Sequence, residues 1–306
     1  MYLHEDKVSF MKLLRDIHDA TNLPASIIEK DYYVFMLLKY IVSKLGDEVV
    51  FKGGTSLSKA YYIINRFSED IDLCLPYDKM KSGGARKRVV ESVFEGFDTF
   101  GLVNSTTRQV QRHGDYNDIR GSYDAVSVDN VVEPYIKVET AHRIKEYPYD
   151  RRIISSYMGD YIKRMTGNYG SFGLESFYVT TVSVYRTFID KLYVIADYYM
   201  NGKVKRYSRH LYDVYKICCS IDWVNVGLIF QLQSLLKDVG LERAGKRGCL
   251  SASAGVVLKD KLYEAMVSDY YMEDYNTITL KVLYENVSYD LCKSTILQLL
   301  GTQLFA

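Results

Sequence analysis

The stretch Phe51-Lys-Gly-Gly-Thr-Ser-Leu-Ser-Lys-Ala-Tyr, followed by Arg66-Phe-Ser-Glu-Asp-Ile-Asp-Leu, constrains this chain more than any other part of it. Residues 49–52 form an apolar approach with strand character. Gly53 and Gly54 then permit a sharp turn with close backbone approach, and residues 56–64 read as the helix that follows. A second short strand, Asp70-Ile-Asp-Leu-Cys-Leu, comes next. Its period of two puts Asp70 and Asp72 on one face, with Ile71 and Leu73 on the other. Strand, tight turn, helix and strand in so short a span call for a sheet with helices packed on it.

The same residues carry chemistry. Unpaired N–H groups at the start of the helix, its dipole and the hydroxyls of Thr55 and Ser56 all favour an anion such as phosphate. Two carboxylates roughly 7 Å apart along a strand suit a hard cation whose remaining ligands are substrate phosphates and water, and Mg²⁺ is the natural choice. One ion would neutralise a triphosphate and its leaving pyrophosphate; a second would lower the pKa of an attacking hydroxyl. These are the parts of a metal-dependent nucleotidyl-transfer site. Each half alone is ordinary, since a Gly-Gly turn is usually only a turn and Asp-x-Asp is usually a solvated strand edge. Here both acids interrupt a strand that otherwise reads as core, one helix length after the glycines.

Composition narrows the remaining classes. With 306 residues, 48% of them hydrophobic, the chain can fill two domains or one large one with a helical extension. The net charge of +1, from 39 basic and 38 acidic residues, gives no bulk attraction to nucleic acid and leaves only local basic patches. Cys74, Cys218, Cys219, Cys249 and Cys292 show neither metal spacing nor a disulfide framework, which fits a reducing cytosol. The beginning of the chain lacks the basic-then-apolar pattern of a secretory leader, and no apolar run of about 18 residues exists, so a cytoplasmic protein with no membrane partner is expected. His4, His18, His113, His142 and His210 lack zinc spacing. A Walker loop, a nucleophile elbow and a dinucleotide fingerprint are all absent from the sequence.

Periodicity predicts helices over residues 10–20 and 27–45, a long charged helix over 79–100, and short alternating strands at 107–112, 119–127 and 133–140 that extend the same sheet, mostly antiparallel. Residues 144–173, with Pro148, Gly167, Gly170 and Gly173, read as a connector with one short helix. Beyond it the pattern is helical, at 184–200, 208–220, 223–237, 258–267 and 277–300, the last allowing a break, with a small, basic, mobile loop at 240–255. The expected class is α+β: a mixed sheet with flanking helices over residues 1–165, and a mainly helical domain over 166–306 closing the cleft.

Three later residues join the candidate site. In Tyr135-Ile-Lys-Val-Glu, Lys137 and Glu139 share a face. Glu139 is a third carboxylate that completes a metal site or takes the proton from an attacking hydroxyl, and the spacing fits equally an exposed ion pair with Lys137. Lys191, four residues after Thr187 on a helix, is the favoured triphosphate ligand. Arg209 and Asp213 stand at i and i+4, where the bland reading is one intrahelical ion pair. Lys52, Lys59, Arg66, Lys203, Lys205 and Arg206 could also contact phosphate, although each taken singly reads as a surface residue.

Taken in order, Ile28-Glu-Lys-Asp-Tyr, Gly53-Gly-Thr-Ser, Arg66-Phe-Ser-Glu-Asp-Ile-Asp-Leu, Lys137-Val-Glu, Arg186-Thr-Phe with Lys191-Leu, and Arg209-His-Leu-Tyr-Asp resemble the AbiEii/AbiGii toxin family. These are nucleotidyltransferase-like proteins of the DNA polymerase beta superfamily that include the MenT-type toxins. The resemblance spans most of the chain and fades beyond about Ile217. It implies a nucleotidyltransferase-like fold, with Gly53, Gly54, Thr55 and Ser56 at the nucleotide-phosphate turn, Asp70 and Asp72 on the metal, and Lys191 and Asp213 in later catalytic motifs. It further implies the toxin half of a type IV toxin–antitoxin, abortive-infection pair that moves a nucleotide from a nucleoside triphosphate to the tRNA 3′ end. The cognate antitoxin would be a transcriptional regulator that forms no stable complex with it. The gap from Gly54 to Asp70 is longer than in the wider superfamily and suits this subgroup. Two alternatives stand beside this reading: a nucleotidyltransferase whose acceptor is a protein hydroxyl, and a nucleotide-binding module without turnover.

Overall fold

A turn at Asp6, whose carboxylate accepts the Ser9 N–H at 3.2 Å, starts α1 (Lys7–Thr21), and Asn22 ends it in the left-handed conformation. Next comes α2 (Ala25–Leu45), buried on nearly every side, as a helix apolar most of the way round must be. A computed structural model describes residues 2–76, 82–107, 109–110, 115–129, 131–141, 148–170 and 172–306. His113, His142 and half of the strand expected over 107–112 lie outside the described residues.

The chain continues through β1 (Val50–Lys52), α3 (Gly53–Lys59), β2 (Ile71–Cys74), α4 (Gly83–Phe100), β3 (Val103–Asn104), β4 (Tyr116–Ser122), β5 (Tyr135–Ala141), β6 (Tyr149–Ile154), α5 (Tyr157–Thr166) and β7 (Phe177–Val182). The strands form one mixed sheet in the order β3-β4-β5-β2-β1-β7-β6. β1 runs parallel to β7 and β2 parallel to β5, while the pairs β1/β2, β3/β4, β4/β5 and β6/β7 are antiparallel. Phe51, Ile71, Leu73, Ile119, Ile136 and Val138 lie on the core face and are fully buried, each contributing about 1.5–3 kcal/mol. α2 and α4 pack on each other and against β5. Lys52, Asp72, Asp118, Arg120, Lys137 and Glu139 occupy alternate positions, on the opposite face.

Two compact units result, Met1–Ala60 with Ser68–Val182, and Tyr61–Phe67 with Ser183–Ala306. The second unit holds α6 (Val184–Met200), α7 (Arg209–Ser220), α8 (Val226–Arg243), α9 (Leu258–Val267), α10 (Met272–Thr277) and α11 (Tyr289–Leu300). α6 is its centre, packed against α7, α8 and α9.

Several local expectations needed correction. The helix after the glycines begins at Gly53 and stops at Lys59 rather than reaching residue 64, because residues 61–67 belong to the other unit. There Phe67 N–H donates to Val282 O at 2.8 Å, Tyr284 N–H donates to Asn65 O at 3.0 Å, and Arg66 forms a bridge with Leu283. The connector expected over 144–173 contains a strand, β6, which pairs with β7 along six residues. β6 is an edge strand with little burial, Asp150, Arg151 and Arg152 among its residues, so it has no apolar alternation to announce it. The loop expected over 240–255 is tied down: α8 runs to Arg243, whose guanidinium bonds Asp197 at 2.6 Å, and Ser251 donates to the same carboxylate from N and from Oγ, both at 2.7 Å. The segment 277–300, for which a break was allowed, is short turns followed by α11, which starts where the Ser288 hydroxyl accepts the Leu291 N–H at 3.2 Å.

Candidate active site

Strand register gathers charge in a row across the polar face of the first unit's sheet. Lys52 on β1 stands opposite Asp72 on β2, Asp72 beside Glu139 on β5, and Glu139 opposite Asp118 on β4. Opposed residues point to the same face, so these four side chains are neighbours. Two residues along the strands a second row follows, with Lys137 opposite Arg120. Asp70, immediately before β2, joins it, its Oδ2 lying 3.9 Å from the Lys137 ammonium. Lys137 is ion-paired with Glu139. Arg120 makes two bonds to Asp118, at 3.1 and 3.2 Å. Glu139 is half-exposed in the ion pair with Lys137, and it also adjoins Asp72. Among the described residues, four carboxylates and three cations share this face.

Asp72 keeps part of its surface open, yet the protein crowds it, and burial pushes its carboxyl up to about 6; Lys52 and Lys137 oppose the rise, while Glu139 and Asp70 add to it. What crowds it includes the glycine turn. A Cβ placed on Gly53 would lie 1.9 Å from Asp72 Oδ2, and Gly53 has a φ of +79° that other residues rarely adopt. The first glycine is thus required twice, by its backbone angle and by the carboxylate packed on its Cα.

Gly54 sits in the first turn of α3. Thr55 and Ser56, also in that turn, are fully buried, and their hydroxyls are engaged inside the protein: Thr55 Oγ1 bonds Ser68 Oγ at 2.9 Å and Ser56 Oγ donates to Gly53 O at 2.8 Å. The expected role for those hydroxyls as anion donors thus gives way to an internal one that stiffens the turn. Lys59 is committed too, ion-paired with Asp31.

A divalent ion, which nucleotidyltransferases generally use, fits this donor set in kind. Asp70, Asp72 and Glu139 are half-exposed carboxylates on one face, and a cation, the Lys137 ammonium, already lies among them. Among the described residues no three His, Cys, Asp or Glu side chains converge as a ready-made metal cage. Mg²⁺ rarely needs one, since it is commonly held by one or two carboxylates plus substrate oxygens.

The second unit holds a different cluster. Asp213 on α7 has no exposed surface and lies between Arg66, whose Nε and Nη2 donate to it at 2.7 and 2.9 Å, and Lys191 on α6, whose Nζ donates at 2.6 Å. Burial alone would raise the Asp213 carboxyl, but Arg66 and Lys191 overcome it and hold the group well below the carboxylate range. Burial lowers the Lys191 ammonium, as does Arg66, against the pull of Asp213. His210, 3.4 Å from that ammonium, is pushed well below its usual range by burial and by Lys191 and Arg209. The expected Arg209–Asp213 pair is replaced by Arg66 and Lys191, and the Arg209 Nε is buried with no hydrogen-bond partner. Arg66, expected at the surface, is 4% exposed.

Asp118 was not among the expected site residues, and Arg66 was expected to contact phosphate or, taken singly, to lie at the surface. Asp118 and Arg120 alternate with Ile119, a visible signal, but their place beside Glu139 depends on strand register. The buried pairing of Arg66 gave no signal, because its partner lies 147 residues away.

A mixed sheet bearing paired carboxylates beside a glycine turn defines a nucleotidyltransferase fold. A family model described as nucleotidyl transferase AbiEii toxin, type IV TA system, matches residues 37–284, and the chain belongs to that family. The match continues well past Ile217, where the resemblance had been expected to fade, and it starts after the Ile28-Glu-Lys-Asp-Tyr motif. Among solved structures, MenT4, a nucleotidyltransferase toxin from Mycobacterium tuberculosis H37Rv, shares the fold with a TM-score of 0.50 and 21% identity, over 90% of this chain and 81% of that one. JHP933 from Helicobacter pylori has a TM-score of 0.45 and 19% identity, over 90% of this chain and 94% of that one. No curated protein sequence matches the chain. Among the described residues no helix is long and apolar enough to cross a membrane.

Proposed function

We propose that this nucleotidyltransferase toxin moves a nucleoside monophosphate from a nucleoside triphosphate to an RNA hydroxyl, that of the tRNA 3′ end, in the cytoplasm, with Asp70 and Asp72 as ligands of Mg²⁺. The hydroxyl oxygen bonds to the α-phosphorus, the bond to pyrophosphate breaks, and the hydroxyl proton passes to a base. When bound, the ion neutralises phosphate charge and acidifies the attacking hydroxyl. Glu139, beside Asp72, is the third carboxylate, as a further oxygen donor or as the proton acceptor. The backbone of the turn at Gly53, Gly54, Thr55 and Ser56 receives the phosphates, and Lys191, held by Asp213 within the second unit, is by the family resemblance a further triphosphate ligand. The observation that carries this reading is the fit between Gly53 and Asp72, which joins the phosphate turn and the metal ligand into one structure. The surplus of cations around Asp213 supports the role given to Lys191. The tRNA acceptor and an antitoxin that acts as a transcriptional regulator without a stable complex rest on the family resemblance.

Incubation with labelled nucleoside triphosphates and total RNA tests the reading. Label should enter the tRNA fraction only with Mg²⁺ and should vanish in Asp70→Ala. Label running with protein would replace the RNA acceptor by a protein hydroxyl. Tight nucleotide binding without pyrophosphate release for either acceptor would end the enzymatic reading of this chain.

A further inference from the structure

Three consecutive charged residues of α2, Glu29, Lys30 and Asp31, enter the interior of the first unit with 0%, 1% and 8% of their surface exposed. Successive helical residues diverge by about 100° around the axis, so three neighbours can reach three different structures. Glu29 accepts the N–H groups of Val126 and Ser127, both at 2.9 Å, in the segment between β4 and β5. Lys30 is ion-paired with Glu69, the residue before Asp70, and donates to the Glu133 carbonyl at 3.0 Å, two residues before β5; its ammonium also lies 4.7 Å from the Tyr135 ring. Asp31 is ion-paired with Lys59, the last residue of α3, and accepts the Tyr157 N–H at 2.9 Å.

Filling a core does not require these charges. A buried ion pair costs desolvation that its attraction barely repays, and apolar residues of similar volume stabilise as well or better. What the three residues specify is geometry. Lys30 fastens together the entrances of the parallel strands β2 and β5, which carry Asp70 and Asp72 on one side and Glu139 on the other. Asp31 fastens the end of the helix that begins at Gly53, and Glu29 holds the segment leading to β5.

We propose that Glu29, Lys30 and Asp31 are positioning residues for the carboxylate face, and that the Lys30 ammonium sets the separation of Asp70 and Asp72 from Glu139 on which divalent-ion binding depends. The inference rests on the metal-dependent reading above. The test is Mn²⁺ binding by calorimetry, with the Mg²⁺ dependence of transfer and the melting temperature measured alongside, on the wild type, Lys30→Arg and the charge-neutral pair Lys30→Met with Glu69→Gln. Lys39→Met serves as control, since that ammonium bonds Gly173 O at 2.8 Å and Glu175 instead. In the double variant, Mn²⁺ affinity should fall about ten- to a hundredfold, as for residues that support metal ligands. Its melting temperature should stay near wild type, the KM for nucleotide should change little, and kcat should recover at high Mg²⁺. Lys30→Arg keeps the charge but not the compact head group, so an intermediate loss is expected, and this variant carries the test should the double variant not fold. Wild-type Mn²⁺ affinity in either folded variant overturns the proposal, as does a loss of affinity that simply tracks melting temperature across all variants and the control. Absence of Mn²⁺ binding by the wild type would instead remove the metal reading itself, and this inference with it.

Discussion

The two charged clusters use the same residue types to opposite ends. On the sheet of the first unit, four carboxylates, Asp70, Asp72, Asp118 and Glu139, share three cations at half-exposed positions. In the helical unit a single carboxylate, Asp213, is wholly buried between Arg66 and Lys191, with Arg209 near enough to be felt. The first cluster is open to solvent; the second is closed and, among the described residues, holds more positive than negative charge. The contrast also separates function from stability. Ionised Asp72 strains the fold that holds it, whereas ionised Asp213 is a fastening.

The comparison can be broken most directly at its two aspartates. Asp72→Asn should lower Mg²⁺-dependent nucleotide transfer by about a thousandfold or more, the scale of losing a group that stabilises transition-state charge, measured by label incorporation at saturating triphosphate. Activity within tenfold of wild type would remove Asp72 from the site. Asp213→Ala should cost about 3–5 kcal/mol of stability, because Arg66 and Lys191 would be left buried without their counter-ion. Denaturant unfolding reads this, and an unchanged midpoint would mean that the cluster is not the fastening described.

A pH series sharpens the contrast. The folded-state carboxyl of Asp72 lies near 6 against an unperturbed 3.8, so the metal-free folded protein binds the proton more tightly than the unfolded chain does. Its contribution to stability is therefore lost as pH rises from about 4 to about 6 and stays lost above that, by about 2–3 kcal/mol at most. Asp72→Asn should accordingly raise the melting temperature of metal-free protein at pH 7.5 and by less at pH 5; equal gains at both would refute the pH dependence. Gly53→Ala should destabilise by about 1–3 kcal/mol from its positive φ and displace Asp72 from the clash. Thermal melts together with transfer assays would detect both effects. The smallest change is expected for Lys191→Met, which leaves Asp213 paired with Arg66. The KM for triphosphate should rise about tenfold, the value of one charge-assisted phosphate contact, while the fold is retained.

Much of this was legible in the chain itself, and the misses share a cause. α6 and α9 fall within their expected bounds because amphipathic periodicity is local. β6 was not foreseen because an exposed edge strand buries too little to leave a pattern. The glycines and both site aspartates stood out because each violates a local rule, a turn where a strand could continue and acids inside an apolar strand. Thr55 and Ser56 carried the right hydroxyls for an anion, yet packing turned them inward to Ser68 and Gly53 O.

Sequence alone determined most of the elements and the kind of chemistry, since backbone propensity, side-chain period and the donor atoms of Asp70, Asp72 and Glu139 are properties of short segments. Tertiary structure decided which charges meet. The register that sets Asp72 beside Glu139, the approach of Gly53 to that carboxylate and the grip of Arg66 on Asp213 all join residues far apart in the chain. Electrostatic energy depends on separation and burial in space, and neither can be read along a line of residues.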